Sequence, residues 1–285
     1  MVNIVRKRQF SITRGFMVGL LLMVVVGTGL LSQPVQADVN DKDYVPTVLI
    51  TGANRGIGFE FVKQYTAKGW KVIATCRTPD KEANLAAFAA ENDNVVIEQI
   101  DVTRHDMIDK VAKKYKKSPI DVLLNNAGFT LTDDTFMQQI FSQINYELAE
   151  QYFRTNSLGA LKMAEAFTGS VAQSRHKKIV SISSLLGSVS MRTGPGMYFY
   201  SMSKAALNIG QIQVAKDIKH TGVIVALLSP GLVNKKETKD ADAKLVKGGK
   251  VPIKMSIAGM IKVIDELTPE RSGSFTRWDG ENLTW

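Results

Sequence analysis

Tyr200 and Lys204, four positions apart, form the pair in this chain best suited to moving a proton. On a helix the two would share a face about one turn apart, close enough for the ammonium to stabilise a phenolate. A free tyrosine titrates near pH ~10, so a pKa near neutrality requires on the order of 4 kcal/mol of selective stabilisation of the anion. Two serines, Ser183 and Ser184, precede the pair at the end of an apolar run. These groups suit proton transfer to a carbonyl oxygen, although a solvated helix face and a simple serine turn are the alternatives.

A glycine-rich turn at residues 51–58 follows an apolar run typical of a buried strand and precedes apolar residues at helical spacing. Backbone N–H groups at the start of such a helix bind pyrophosphate, because they lie at the positive end of the helix dipole. The spacing differs from the G-x-G-x-x-G fingerprint, so a turn that binds no ligand is the alternative. The candidate cofactor-binding residues of this turn are Gly52, Asn54, Arg55, Gly56, Ile57 and Gly58.

Apolar runs alternate with amphipathic stretches along the rest of the chain. After the first run at 47–51 they occupy residues 71–77, 95–102, 121–127, 178–184 and 223–230. This pattern predicts an α/β fold, a doubly wound parallel sheet of the Rossmann type with about seven strands and helices on both faces. Ligands of such sheets bind at the carboxyl ends of the strands. One crevice should therefore be lined by Thr51, Arg77, Asp101, Asn126, Ser184 and Pro230.

The motifs, taken in order, resemble those of the short-chain dehydrogenase/reductase family over residues 46–285. They are the glycine turn, the Asn-Asn-Ala-Gly stretch at 125–128, the serine pair and the Tyr-x-x-x-Lys pair. The stretches 183–188, 200–208 and 275–280 are similar to the carbonyl-reductase and C-factor branch of that family. The resemblance implies a single domain that transfers a hydride between a nicotinamide cofactor and a carbonyl or alcohol substrate.

The resemblance also implies four catalytic residues. Tyr200 would donate the proton, and Ser184, rather than Ser183, would bind the substrate oxygen. Asn156, in a helix predicted over 147–173, would hold a water that passes protons towards Lys204. Lys204 would also hydrogen-bond the nicotinamide ribose.

Further cofactor contacts are expected after three other strands. Asp101 would bind the adenine amino group, and the stretch 125–128 would form a wall of the adenine and ribose pocket. The Pro-Gly segment at 230–233 resembles the family's segment over the nicotinamide, although Asn234-Lys235 stands where a threonine is common. With Tyr200 and Lys204, the residues assigned to the cofactor in this way are Asp101, Val102, Asn126, Ala127, Gly128, Pro230, Gly231 and Val233.

The choice of cofactor depends on two arginines. A site for NAD usually has an acidic residue after the second strand, whereas a site for NADP replaces it with arginine. The second strand of this chain ends in Cys76-Arg77, and Arg55 lies inside the glycine turn. Both guanidinium groups suit a 2′-phosphate, so we expect NADP, with solvent-facing charges as the alternative.

Two loops flank the expected substrate pocket. The gap between Ser184 and Tyr200 is about three residues longer than the family usually has, and the added Gly194-Pro195-Gly196 predicts a loop that bulges outward. The stretch 235–254 is rich in charge and glycine and is expected to form a mobile substrate lid.

Composition agrees with one compact enzyme domain. The chain has 285 residues, of which 45% are hydrophobic, and a formal net charge of +9. Four of those charges lie before the first acidic residue, and the rest fits an anionic cofactor, so no nucleic-acid partner is expected. A single cysteine excludes an intrachain disulfide. His105, His176 and His220 are far apart, so no metal site is expected.

The N-terminal segment reads as a separate element. Basic residues precede the apolar run 16–31, and a small residue, Ala37, follows. This pattern predicts a cleavable signal peptide at 1–37, a linker at 38–45 and an exported mature chain that begins at Asp38. An uncleaved membrane anchor through 16–31 is the alternative, and the sequence does not distinguish ordinary from twin-arginine export.

The sequence thus predicts an NADP-dependent carbonyl reductase or alcohol dehydrogenase. The alternative is a signalling or sensor protein that binds NADP(H) on the same fold without relevant turnover. Helices predicted over 147–173 and 199–220 resemble the usual dimer faces of the family, so a homodimer or homotetramer is expected. The substrate and the physiological direction of reaction stay open.

Overall fold

The computed structural model describes residues 43–130, 132–234 and 250–285, and the description that follows is of these. They fall in one compact unit, Ala37–Trp285. The strands are β1 (Thr47–Thr51), β2 (Lys71–Cys76), β3 (Val95–Gln99), β4 (Val122–Asn125), β5 (Lys178–Ile182), β6 (Ile224–Ser229), β7 (Val233–Asn234), β8 (Val251–Pro252) and β9 (Ser274–Arg277). The α-helices are α1 (Gly56–Ala67), α2 (Ala83–Ala90), α3 (His105–Tyr115), α4 (Asp133–Met137), α5 (Leu148–Phe153), α6 (Gly159–Ala172), α7 (Tyr198–Asp217) and α8 (Ile253–Asp265).

Seven strands form one parallel sheet in the order β3-β2-β1-β4-β5-β6-β9. The chain moves outward in one direction from β1 to β3 and in the other from β4 to β9. This reversal between β1 and β4 is the switch point at which doubly wound sheets bind ligands. The predicted fold class is therefore confirmed, and the glycine turn after β1 lies at the switch point.

The strands are apolar on both faces because helices cover both sides of the sheet. In β1, Val48 and Ile50 face one core cluster with α1 and α8, and Leu49 faces the other with α3 and α6. All three side chains are fully buried. Burying a side chain of this size contributes roughly 1.5–3 kcal/mol, so these residues stabilise the sheet that carries the site.

The long helix predicted over 147–173 is present but is interrupted by a π-helical turn. Helix α5 runs directly into the π turn Arg154–Leu158, which continues as α6. The turn contains Asn156, whose side chain is buried. Such π turns recur at functional sites, because the extra residue redirects the side chains around it.

A second, two-stranded sheet pairs β7 with β8 and so brings Asn234 next to Pro252. The segment predicted as a lid lies mainly at 235–249, outside the described residues. Its expected end at 254 is too late, because α8 begins at Ile253.

A buried carboxylate holds the chain together at the amino ends of the strands, opposite the glycine turn. Asp121 accepts hydrogen bonds from the Tyr44 hydroxyl (2.7 Å), the Thr47 amide (2.9 Å) and the amides of Arg175 and His176 (3.2 Å each). The Arg175 guanidinium also lies 3.9 Å from the centre of the Tyr44 ring. Tyr44 therefore packs on the domain, whereas the sequence assigned it to a linker that ends at residue 45.

Candidate active site

Tyr200 lies in the first turn of α7, and Ser184 follows the carboxyl end of β5. The Ser184 hydroxyl is near enough to the Tyr200 phenol to affect its pKa. Burial raises the pKa of Tyr200, the bond with Ser184 lowers it, and the nearby Tyr152 raises it again, so the net shift is upward. Tyr200 is therefore a neutral phenol in this structure, which is the form that can donate a proton.

Lys204 lies one turn further along α7, and its side chain is almost completely buried at 5% exposure. The Nζ atom donates a 2.7 Å hydrogen bond to the carbonyl of Ile182, the last residue of β5. Burial lowers the pKa of Lys204 to about 8. One hydrogen bond leaves two further donors on Nζ, so the effect of the ammonium on the Tyr200 phenol that the sequence suggested stays a prediction.

The two serines after β5 have different partners. Ser183 is buried and donates a 2.6 Å hydrogen bond to Asn208 Oδ1. The Ser184 hydroxyl accepts a weaker bond from the Leu186 amide (3.2 Å) at the start of a short 3₁₀ helix and also meets Tyr200. Ser183 thus joins β5 to α7, and the contact of Ser184 with a substrate stays a prediction.

Asn156 holds the backbone that follows β4. Its Oδ1 accepts from the Phe129 amide (2.7 Å), and its Nδ2 donates to the Phe129 carbonyl (3.1 Å) and to Ser203 Oγ (3.0 Å). Both amide hydrogens are therefore used within the protein, which leaves a lone pair of Oδ1 for any further contact. A Cβ atom at Gly128 would lie 3.4 Å from Asn156 Oδ1 and 3.9 Å from Lys204 Nζ, so Gly128 is the residue that separates these two groups.

In the turn after β1, glycine is required at Gly58 and at Gly56 for different physical reasons. A Cβ atom at Gly58 would lie 2.2 Å from the Gly52 carbonyl oxygen and 2.5 Å from Asn126 Nδ2, so Gly58 permits close packing of α1 on the strand ends. The contact of Gly58 with a pyrophosphate stays a prediction. Gly56 has a φ of +55° and no atom within 4 Å of its missing Cβ, so it leaves open space at the start of α1.

Asn126 braces the glycine turn against β4. Its Nδ2 donates to the carbonyls of Thr51 (2.8 Å) and Gly52 (3.1 Å), and Thr51 Oγ1 accepts from the amides of Asn126 (3.0 Å) and Ala127 (2.9 Å). The sequence did not single out this role of Thr51. These bonds fix the switch point between β1 and β4, and the assignment of Asn126, Ala127 and Gly128 to a pocket wall stays a prediction.

The two arginines expected to bind the 2′-phosphate of the cofactor lie on the surface of the protein. Arg55 and Arg77 are exposed, and neither is paired with a carboxylate of the described residues. Asp101 Oδ1 accepts from the amide (2.9 Å) and hydroxyl (2.8 Å) of Thr103, which orients the carboxyl group. Val102 is buried against Gly159. Asn54 and Ile57 are half-buried in the turn itself.

The segment after β6 is held by the C-terminal part of the domain. The Pro230 carbonyl accepts a 2.7 Å bond from Ser256 Oγ of α8, and Gly231 lies against the Trp278 indole. Val233 begins the small sheet. These contacts bring Pro230, Gly231 and Val233 to the carboxyl edge of the main sheet, as expected, but their contact with a nicotinamide stays a prediction.

Gln139 and Tyr152 are two buried residues beside Tyr200 that the sequence analysis missed. Tyr152 lies edge-on to the Tyr200 ring, with 6.2 Å between ring centroids. Gln139 accepts hydrogen bonds from the amides of Phe199 (2.8 Å) and Tyr200 (3.2 Å). No spacing in the sequence predicts either contact, because Gln139 lies 60 residues before Phe199 and Tyr152 belongs to a separate helix, α5.

The comparisons with known proteins agree with this geometry. A family model described as short chain dehydrogenase matches residues 46–245. The chain belongs to the short-chain dehydrogenase family. It is 31% identical over 241 residues to a 1-hydroxy-2-glutathionyl-2-methyl-3-butene dehydrogenase of Rhodococcus sp. strain AD45, with 84% of this chain and 99% of that protein covered. Over 167 residues it is 33% identical to C-signal of Myxococcus xanthus, with 59% of this chain and 93% of that protein covered.

A solved structure is also similar to this short-chain dehydrogenase. The NADPH-bound carbonyl reductase from chicken fatty liver matches with a TM-score of 0.74 at 28% identity, over 85% of this chain and 99% of that one. These matches confirm the family and the carbonyl-reductase branch expected from the motifs.

The expected location of this short-chain dehydrogenase is corrected by the same comparisons. Export and its alternative, a membrane anchor, rested on the N-terminal segment alone, which lies outside the described residues. The Rhodococcus dehydrogenase and the chicken reductase are each covered over 99% of their length, so their likeness to this chain gives no support to an exported protein. In the described part of the chain, no helix is long and apolar enough to cross a membrane. We therefore withdraw both assignments.

The described residues of this short-chain dehydrogenase include no candidate metal site. Within them, no group of three or more His, Cys, Asp or Glu side chains is arranged to hold an ion. His176 packs edge-on against Trp70, and its pKa is lowered by burial.

Proposed function

We propose that this short-chain dehydrogenase is an NADP-dependent oxidoreductase that interconverts carbonyl and alcohol substrates, in one domain at about residues 46–285. The observation that carries the proposal is the placement of Ser184, after β5, and Tyr200, in the first turn of α7, at the carboxyl edge of the sheet, with the buried Lys204 one turn further along α7. The family, the named dehydrogenase relative and the NADPH-bound reductase of similar structure support it.

The residues present fit a dinucleotide with a 2′-phosphate. Helix α1 begins without a side-chain cap and has no acidic residue in its first turn, so its free N–H groups can bind a pyrophosphate. Gly56 leaves the space for that approach. Arg55 and Arg77, unpaired with described carboxylates, supply the charge for the 2′-phosphate. Asp101, Val102, Asn126, Ala127 and Gly128 would contact the adenosine, and Pro230, Gly231, Val233 and Lys204 the nicotinamide half.

The mechanism follows from the chain's own groups. Bound NADPH supplies the hydride for the carbonyl carbon. Ser184 and Tyr200 would hydrogen-bond the carbonyl oxygen, and Tyr200, kept neutral by burial, would give its proton to that oxygen as the alcohol forms. Lys204, with its pKa lowered to about 8, can regain and lose a proton near neutral pH and would restore the proton of Tyr200. Asn156 keeps Phe129 and Ser203 fixed around this group.

The proposal is tested by following NADPH oxidation at 340 nm with a panel of aldehydes, ketones and quinones. We expect turnover of at least one carbonyl, with NADPH preferred over NADH. Tight NADPH binding without turnover of any compound on a broad panel would instead support a sensor that uses this fold. The name of the Myxococcus relative describes that protein alone, and an intact Ser-Tyr-Lys-Asn set favours an enzyme in this chain.

A homodimer or homotetramer is the quaternary structure that we propose. Four large apolar side chains are exposed on the two helices expected to form the dimer faces. They are Leu158 (50%), Leu161 (40%), Met202 (50%) and Ile209 (55%). Burying such side chains against a second copy would remove apolar surface from water.

A further inference from the structure

The helix that carries Tyr200 begins without a cap of its own. Met197, at its N-cap position, has a φ of +56° and makes no side-chain capping bond. The loop before it is closed on itself, because the Arg192 guanidinium donates to the carbonyls of Pro195 (3.0 Å) and Gly196 (2.8 Å). The chain therefore enters α7 in a left-handed conformation, and the first N–H groups of the helix need a partner from elsewhere.

That partner is Gln139, which lies just after α4 and has a fully buried side chain. Its Oε1 accepts from the amides of Phe199 (2.8 Å) and Tyr200 (3.2 Å), and its Nε2 donates to the carbonyl of Thr135 (2.9 Å) and the hydroxyl of Tyr152 (3.2 Å). A glutamine amide has two donor hydrogens and two acceptor lone pairs, and all four are used here. A fully satisfied buried amide of this kind specifies one arrangement of its neighbours.

Tyr152 extends the same contact to the Tyr200 ring. The Tyr152 side chain is fully buried between Phe129, whose ring centroid lies 4.7 Å away, and Tyr200, at 6.2 Å. Its hydroxyl is held by Gln139 Nε2. One side chain thus fixes Tyr200 twice, at its backbone amide and through the ring that packs against it.

We propose that Gln139 is a positioning residue for the proton donor: it caps α7 from outside the helix and, through Tyr152, sets where the Tyr200 hydroxyl lies relative to Ser184. The capping geometry stands on the described contacts, and the kinetic consequence rests on the proposed function. Misplacement of a reacting group by about 1 Å costs on the order of a hundredfold in rate, so a cap at this point matters for turnover.

The test replaces Gln139 with methionine, which has a similar length and shape but no hydrogen-bonding amide. Gln138→Met is the matched control, because Gln138 is the adjacent glutamine and accepts from Asn145 within its own segment. The first readout is hydrogen exchange of the Phe199 and Tyr200 amides, which needs no substrate. We expect Gln139→Met to speed both by about tenfold or more and Gln138→Met to leave them unchanged.

The second readout separates positioning from loss of folded protein. NADPH-binding sites are titrated in each variant, and kcat is expressed per site. For Gln139→Met we expect kcat to fall by about tenfold or more, with Kd for NADPH and KM for the carbonyl each within about twofold of the wild type. Unchanged kcat per site would overturn the positioning role, and unchanged exchange would overturn the cap. If the wild type reduced no carbonyl, the exchange result would still decide whether the cap exists.

Tyr152→Phe tests the same arrangement where Gln139→Met does not fold. It keeps the ring against Tyr200 and removes only the hydroxyl that meets Gln139. We expect a fall in kcat per site of about twofold to tenfold, again without a change in NADPH binding. When both variants fold, the double variant should be no slower than Gln139→Met alone, because one connected group has been removed. Wild-type kcat in Tyr152→Phe, or additive losses in the double variant, would contradict the proposal.

Discussion

The protonation state of the Tyr200 hydroxyl links its buried environment to the proposed chemistry. Burial keeps the phenol neutral, and the Ser184 hydroxyl opposes that effect through a hydrogen bond. A neutral phenol is the reactant needed for carbonyl reduction, whereas alcohol oxidation requires the phenolate. The upward direction of the Tyr200 pKa is thus compatible with the proton-donor role that carbonyl reduction needs.

Replacing Tyr200 with phenylalanine should remove the proton donor and retain the ring packing with Tyr152. We expect kcat/KM for carbonyl reduction to fall by about a hundredfold or more, with NADPH affinity nearly unchanged. Tyr198→Phe is the matched control, since Tyr198 lies on the same turn of α7 and packs on Phe141. If Tyr200→Phe kept more than about a tenth of the wild-type value, less than ~1.4 kcal/mol would be involved and Tyr200 would not be the general acid.

The buried Lys204 should give the protein a pH-dependent stability. Its pKa falls from 10.5 to about 8 on folding, so between those values the unfolded chain binds more protons than the folded one. Stability therefore rises with pH across that window. Against Lys204→Met, the wild type should gain on the order of 2 to 3 kcal/mol of unfolding free energy between about pH 7.5 and pH 10. Urea denaturation of both proteins over this range measures the gain, and a constant difference between them would argue against a depressed pKa.

Arg77 should determine the preference for NADPH over NADH. Replacement by aspartate exchanges a charge-assisted contact with the 2′-phosphate for repulsion, while NADH has a hydroxyl there. We expect Arg77→Asp to weaken NADPH binding by about a hundredfold and NADH binding by only a few fold. Lys71→Asp, a charge reversal at the other end of β2, should change neither affinity. Fluorescence titration of both cofactors decides the matter, and an unchanged ratio would remove the 2′-phosphate assignment.

At the scale of secondary structure, the joint between β1, α1 and β4 is the tightest part of the site. Gly58→Ala would place a methyl group 2.2 Å from the Gly52 carbonyl oxygen, so the turn must move. We expect a loss of about 2 kcal/mol or more of stability together with weaker NADPH binding. Gly169→Ala provides the opposite case, because Gly169 lies in α6 with no atom within 4 Å of its missing Cβ. It should stabilise the protein by about 0.5–1 kcal/mol, as thermal unfolding of the two variants can show. Equal effects of the two substitutions would contradict the packing role of Gly58.

The sequence predicted those elements whose signals are local. Buried parallel strands are continuous apolar runs, so β1 to β6 could be found, and the polar residues just after them could be placed at one edge. The predicted runs were too long at their ends because the apolar pattern continues into the turns, as at Val102, which follows β3 by three positions. The sequence predicted about seven strands but located only six. Strand β9, the seventh in the sheet, has four residues and no flanking pattern, so its position was not predicted.

The roles that depend on contacts between distant segments could not be predicted. In the sequence, nothing distinguishes Gln139 from the other glutamines of the same polar stretch. Only folding brings its side-chain amide to the start of α7. The same holds for Asn126, whose side chain braces a turn 75 residues earlier. The carbonyl partner of Lys204 could not be predicted either, because the end of β5 meets α7 only after folding.

For the whole molecule, association through α6 and α7 is the feature to test. Sedimentation analysis at micromolar concentration should show a dimer or tetramer, and Ile209→Glu should shift it towards the monomer, since a buried unpaired charge opposes the interface. Val96→Glu is the control, because Val96 is 47% exposed on the edge strand β3, away from both helices. A monomeric wild type, or equal behaviour of the two variants, would contradict this quaternary structure.

The Asp121 carboxylate sets a limit on how far the chain can be shortened from its N-terminal side. The four donors named above come from two stretches of the sequence, at residues 44–47 and 175–176, and the Tyr44 hydroxyl is the first of them along the chain. A shortened protein that began at Thr47 would keep every strand and helix of the domain and yet leave this buried acid without one of its donors, which costs more than the contact itself is worth. For expression, fusion or crystallisation, a shortened form of the enzyme should therefore keep Tyr44, because its contact with Asp121 lies at the edge of the sheet opposite the active site.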